Sequence, residues 1–195
     1  FDGRQWRPDI VLQCHDVSFT YYRFPYRLSG GQGTWEYRDG KLTTQDFHAV
    51  VHGRPVVFHA DLANPGENFT GMFSFQVPQP VPLDEEFLAA LPARPQAIVR
   101  SLQPRCEWTA TGRFERTHPT GPITRSVDID IHRGSVQYTP FPYPLTGIHG
   151  QLRWRDDRWE VNELTGMNAS AVAVSAALEF AAAAWHAGLR HRRHP

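Results

Sequence analysis

The sequence predicts a mainly β protein, an antiparallel meander interrupted by one short helical connector. Three observations carry this prediction: two-residue apolar alternation over most of the chain, tight-turn residues between the alternating runs, and a unit written twice. In 69–77, Phe69, Phe73, Phe75 and Val77 share a face with Gly71, while Thr70, Ser74 and Gln76 point the other way. The same period appears in Val17, Phe19, Tyr21; in Trp35, Tyr37; in Trp108, Ala110, Phe114; in Val127, Ile129, Ile131; in Val136, Tyr138; and in Leu152, Trp154. Strands covered on one side and wet on the other belong to antiparallel sheets.

Turns and helices follow in order. Arg38-Asp39-Gly40-Lys41 separates two strand-like runs, and Arg155-Asp156-Asp157-Arg158 separates two more. Asp-Gly favours the positive φ of a two-residue hairpin loop. LDEEFLAAL, Leu83 to Leu91, has acidic residues in a first turn, helix formers behind them, and Pro92 as a stop, so a short helix capped by Asp84 is expected. A second is expected from Pro95 to Leu102, ended by Pro104.

FPYRLSGGQGTWEYRDGKL begins at Phe24, and FPYPLTGIHGQLRWRDDRW begins 117 residues later at Phe141. Superposed without gaps, 24–50 and 141–167 share eight identities in 27 positions, against about one or two from composition. A period this long exceeds a familiar solenoid unit, so the duplicated object is a multi-strand module. The organisation read from the chain is a first β module over 1–80, a helical connector over 81–104, a second β module over 105–180 and an irregular tail over 181–195. Phe24, Pro25, Leu28, Gly30 and Gly33, with Phe141, Pro142, Leu145, Gly147 and Gly150, form the repeated motif. It reads as a link between strands, in which proline fixes φ and glycine permits a bend and a close approach.

Composition narrows the function. The chain has 195 residues, 41% of them apolar, and 20 basic residues balance 20 acidic ones, so no polyanionic partner such as nucleic acid is indicated. No apolar run approaches the ~20 residues that cross a bilayer. The first residue is Phe1 rather than methionine, and the chain reads as a segment of a longer protein. Cys14 and Cys106 lack the spacing of a zinc site or a disulfide framework, and one bridge between them is left open.

Reactive residue types are present without a catalytic pattern. His48 and His52 would share a strand face about 13 Å apart, too far to hold one ion, and His59 completes no set with them. Cys14-His15-Asp16 places neighbours on opposite faces, which argues against a triad. Asp128 and Asp130 share a face but alternate with Val127, Ile129 and Ile131, as a solvated outer face does. There is no GxSxG, phosphate-binding loop or HExxH. The expectation is a non-enzymatic protein with no cofactor and no metal.

A strand with FPYPLTGIHG, followed by QLRWRDDRWEVNELTGMNASAVAVSAALEF, resembles the recurring unit of AsmA-like proteins, the bacterial envelope group that includes TamB-type and YhdP-type proteins. PVPLDEEFLAALP resembles the helical spacer between repeats of that family. The resemblance covers about residues 10–180 and implies a curved β-groove, taco-like in section, whose apolar inner face carries phospholipid or another envelope lipid between inner and outer membranes. It further implies a place in the periplasm, anchorage to the inner membrane through segments outside this chain, and further repeats as partners. The lining set expected is Phe19, Tyr21, Trp35, Tyr37, Phe73, Phe75, Trp108, Ile129, Tyr138, Leu152 and Trp154. The alternatives are a β-sandwich module that stacks carbohydrate on Trp35, Tyr37, Trp154 and Trp159, and a purely structural repeat of a surface protein.

Overall fold

The chain runs back and forth from its first described strand to its last. In the computed structural model, residues 8–21, 24–138, 143–156, 158–168 and 173–181 are described, the last of these by backbone alone. The strands are β1 (Ile10–Tyr21), β2 (Phe24–Arg38), β3 (Lys41–Val51), β4 (Arg54–Ala63) and β5 (Thr70–Pro82), then helices α1 (Glu85–Ala90) and α2 (Ala93–Leu102). They continue as β6 (Arg105–Arg116), β7 (Thr124–Val136), β8 (Leu145–Arg155), β9 (Arg158–Asn168) and β10 (Ala173–Ala181). Each strand pairs antiparallel with the next, giving one open, curved sheet in sequential order.

The local reasons are those of the sequence. At the β2–β3 turn Asp39 has φ 49° and Gly40 φ 76°, the two positive values of a tight hairpin loop. Asp84 caps α1 by accepting a hydrogen bond from Phe87 N at 2.6 Å. The helices do not divide the sheet. β5 and β6 pair directly from Gly71 opposite Arg116 to Pro82 opposite Glu107, so 83–104 is a flap on a continuous surface.

Two expectations change. Phe24 to Gly33 is not a link between strands but the first half of β2, because the positive-φ glycines are absorbed as irregularities within its pairing. In the second copy β8 starts at Leu145; Phe141 and Pro142 lie outside the described residues. His52 is in the β3–β4 turn with φ 48°, not on a strand face with His48.

The duplication keeps its register between the first two strands of each copy. Leu12 opposite Trp35, Cys14 opposite Gly33, Val17 opposite Gly31 and Phe19 opposite Leu28 recur 117 residues on as Ile129–Leu152, Ile131–Gly150, Gly134–Ile148 and Val136–Leu145. Gly30 and Gly147, Gly33 and Gly150, Asp39 and Asp156, and Asp46 and Glu163 all have positive φ. A Cβ on Gly33 would lie 2.6 Å from Phe47 Cα, and one on Gly150 would lie 2.7 Å from Leu164 Cα, so both positions require glycine. Even the Ser29 Oγ bond to Val50 O returns as Thr146 Oγ1 to Met167 O, both at 3.5 Å. The duplicated unit is therefore four strands: β1–β4 matches β7–β10, with β5, the helices and β6 between.

Candidate functional site: the apolar inner face

Register decides which side chains share a face, since directly opposed residues of paired strands point the same way. Following the pairs from β1 to β9 puts Phe19, Tyr21, Trp35, Tyr37, Phe73, Phe75, Trp108, Ile129, Leu152 and Trp154 on one face. Tyr138 lies just past the end of β7, exposed, and belongs to no strand. Tyr21, at the free side of the sheet, is also exposed.

The sheet bends toward this face. Phe19 on β1 and Phe58 on β4 have ring centroids 5.9 Å apart, whereas three strand spacings in a flat sheet would separate them by about 14 Å. The aromatic face is thus the concave one. Its rings run across the strands in an unbroken series: Phe19, Phe47, Phe58, Phe73, Phe114, Trp154 and Trp159, with successive centroids 5.7–6.4 Å apart. Trp154 and Trp159 stack at 7°, each turning one ring face to the other.

Four members of this series were absent from the expected lining set: Phe47, Phe58, Phe114 and Trp159. Phe47 is the instructive case. Leu42 and Thr44 face inward at even positions, the positive φ of Asp46 adds a residue to the ladder, and Phe47, Ala49 and Val51 then face inward at odd ones. The change of phase recurs as Trp159 and Val161 before Glu163, then Leu164 and Gly166 after it.

Helix α1 lies in the hollow over β2 to β6. The Phe87 ring is 5.3 Å from Phe24, 5.4 Å from Tyr26 and 5.3 Å from Trp108, which joins strands four apart. Tyr26, Val51, Val56, Val77, Val81 and Ala90 form the core cluster there. The helix is fastened by Asp84, whose carboxylate accepts from Tyr26 Oη at 3.1 Å and contacts His52 Nε2. Burial pushes the Asp84 carboxyl up, but its bonds from Phe87 N, His52 and Tyr26 outweigh this and hold it below the usual carboxylate range. Burial and the neighbouring Asp84 charge raise Tyr26.

The convex face is polar and paired. Asp128 accepts from Arg155 at 2.6 Å, Asp130 from Gln151 at 2.8 Å, and Lys41 pairs with Asp61 at 2.9 Å. These carboxylates are engaged with cations and amides on an exposed surface. A depression of about 400 Å³ there is bordered by His59, Gln76, Arg113 and Asp128 among others. A second, of about 550 Å³, lies between the helices and the ends of β7 and β8, with Leu88 and Val136 beside Arg100 and Arg105. Cys14 and Cys106 are both free thiols, the latter with its pKa raised by burial. Among the described residues no group of three His, Cys, Asp or Glu is placed to hold a metal ion.

Fold and face together define an open single-sheet β protein with one apolar, concave side and one charged, convex side. No family model, curated protein or solved structure matches the chain. No helix among the described residues is long and apolar enough to cross a membrane.

Proposed function

We propose that the chain is a segment of an AsmA-like envelope protein that holds phospholipid, or another envelope lipid, against its concave face and passes it between inner and outer membranes. The observation that carries this reading is the bent, aromatic-lined sheet with no second sheet packed on it among the described residues. A β-sandwich would close such a face with an equal layer at about 10 Å. Here Ile129, Leu152, Trp154, Trp159 and Val161 remain half-exposed, which costs free energy in water unless something apolar covers them.

Acyl chains meet that requirement, since each methylene removed from water contributes about 0.8 kcal/mol and the head group stays solvated outside the hollow. No covalent step is involved. A sugar-stacking module is less well supported, because Trp154 and Trp159 stack on each other and line the concave side. In the full protein the sheet continues into further repeats, and the setting is the periplasm, with anchorage to the inner membrane.

Solvent extraction of the purified chain followed by mass spectrometry tests the proposal. Phospholipid at a fixed molar ratio to protein is the expected result. Lipid-free protein that binds glycans on an array overturns it.

A further inference from the structure

The second copy begins six strands after the first, so β1 and β7 hold the same place in the unit. β7 carries β6 on its outer side, from Glu107 opposite His132 to Gly112 opposite Val127, whereas β1 is the edge of the sheet among the described residues. Burial records the difference. Val127 is 7% exposed and its equivalent Ile10 is 50% exposed; Ile129 is half-buried and its equivalent Leu12 is 56% exposed. Val11, on the convex side, is exposed as well. Because β1 keeps on β2 the register that β7 keeps on β8, its outward N–H and C=O groups stand where those of β7 receive β6. An edge meant for water is ordinarily guarded by charge, proline or a bulge, and Ile10 to Cys14 has none of these.

On the reading above that further repeats adjoin this chain, we propose that the outer edge of β1 from Ile10 to His15 is a docking edge for a strand of β6's pattern, supplied by another repeat in the register that β6 takes on β7. Moving that register back by 117 residues sets the equivalents of Gly112, Ala110 and Trp108 opposite Ile10, Leu12 and Cys14 on the concave side. The equivalents of Thr111, Thr109 and Glu107 then lie opposite Val11, Gln13 and His15 on the convex side. The incoming strand is therefore small or apolar at alternate inner positions and polar between them. Ile10, Leu12 and Cys14 offer it the apolar row that Val127, Ile129 and Ile131 offer β6. Backbone hydrogen bonds hold such an added strand, and the side chains it covers fix its phase. The trough then continues past β1 without a seam.

Cys14 reports the register, since opposed residues of antiparallel strands stand about 4.5–5.5 Å apart at Cα, within reach of a disulfide. The probe is a synthetic peptide of the β6 sequence, Arg105–Arg116, with Cys106→Ser and one further change: Glu107→Cys, Trp108→Cys or Thr109→Cys. The full chain carries Cys106→Ser, which leaves Cys14 as its one thiol. In a thiol–disulfide exchange buffer the Trp108→Cys peptide is expected to couple to Cys14 about tenfold more than either neighbour, whose cysteine points to the opposite face. Equal coupling of all three, or coupling no greater than that of a scrambled peptide with one cysteine, overturns the docking edge. Hydrogen exchange of the unsubstituted chain probes the same edge without the thiol: residues 10–15 should exchange more slowly with the Cys106→Ser peptide, and unchanged exchange overturns the proposal. Bound lipid is measured on the same sample. Lipid-loaded protein without register-selective coupling sinks the docking edge alone, and register-selective coupling by lipid-free protein sinks the lipid reading alone.

Discussion

The first and second copies of the four-strand unit share a backbone down to individual bulges and differ in what fills their hollow. Over β2 to β4, Phe47, Ala49 and Ala60 are 2%, 0% and 1% exposed beneath Phe19 and Phe58, while Ile10 and Leu12 on β1 are 50% and 56% exposed. Over β7 to β9, Ile129, Leu152, Val161 and Leu164 stay half-exposed. The curvature and the contents of a trough are thus set by different residues. Glycines and bulges, shared by the copies, bend the strands; side-chain volume, different between copies, decides how closely the residues inside the bend pack.

The comparison breaks most visibly at its fullest point. Phe47→Ala leaves a cavity beneath Phe19 and Phe58 and should cost about 3–5 kcal/mol in denaturant unfolding, the range for a buried phenylalanine. Leu164→Ala at the equivalent position should cost about 1 kcal/mol, since its side chain gains only part of the transfer energy of full burial. Equal losses would mean that the two positions are equally well packed. Gly33→Ala and Gly150→Ala sharpen the other half of the argument. With φ of 123° and 151° and backbone within 2.7 Å of the new Cβ, each should lose about 1–3 kcal/mol or more, and to a similar extent. A large difference between them would show that the copies do not bend by the same device.

The smallest effect concerns the helix held against the first copy. Asp84→Ala removes the cap and should cost about 1 kcal/mol. Because the folded-state pKa of Asp84 is depressed, its contribution is complete above the ordinary carboxylate pKa of about 4 and disappears as the pH falls below it. The stabilities of the wild type and Asp84→Ala should therefore converge in acid. A constant gap across that window would contradict the carboxylate's role.

Much of this architecture was legible in the residues. Alternation marked the strands, Asp39-Gly40 the hairpin, Asp84 and Pro92 the limits of the first helix, and the FPYxLxGxxG repeat the duplication. The strands β1 and β7 were not readable as copies, because Ile10 to Phe19 and Val127 to Val136 are equivalent in pairing while scarcely similar in identity. Their likeness resides in the backbone ladder. Bulges at Asp46 and Glu163 were hidden for a related reason: a non-glycine residue at positive φ leaves no compositional mark, and it reverses the inward phase of all that follows in the strand. The fastening of α1 joins Tyr26, His52 and Asp84 across 58 residues, beyond any local pattern. The cluster of Phe19, Phe47 and Phe58 was invisible for want of curvature, since only a bent sheet brings Phe19 to Phe58.

A phospholipid carrying a diazirine in its acyl chain, photolysed with the protein and mapped by peptide mass spectrometry, measures directly where apolar guests lie. The account predicts adducts on the concave side, at Leu12, Ile129, Leu152, Val161 and their neighbours. Adducts confined to the charged convex side around Asp128 and Arg153, or none above a detergent control, would contradict it.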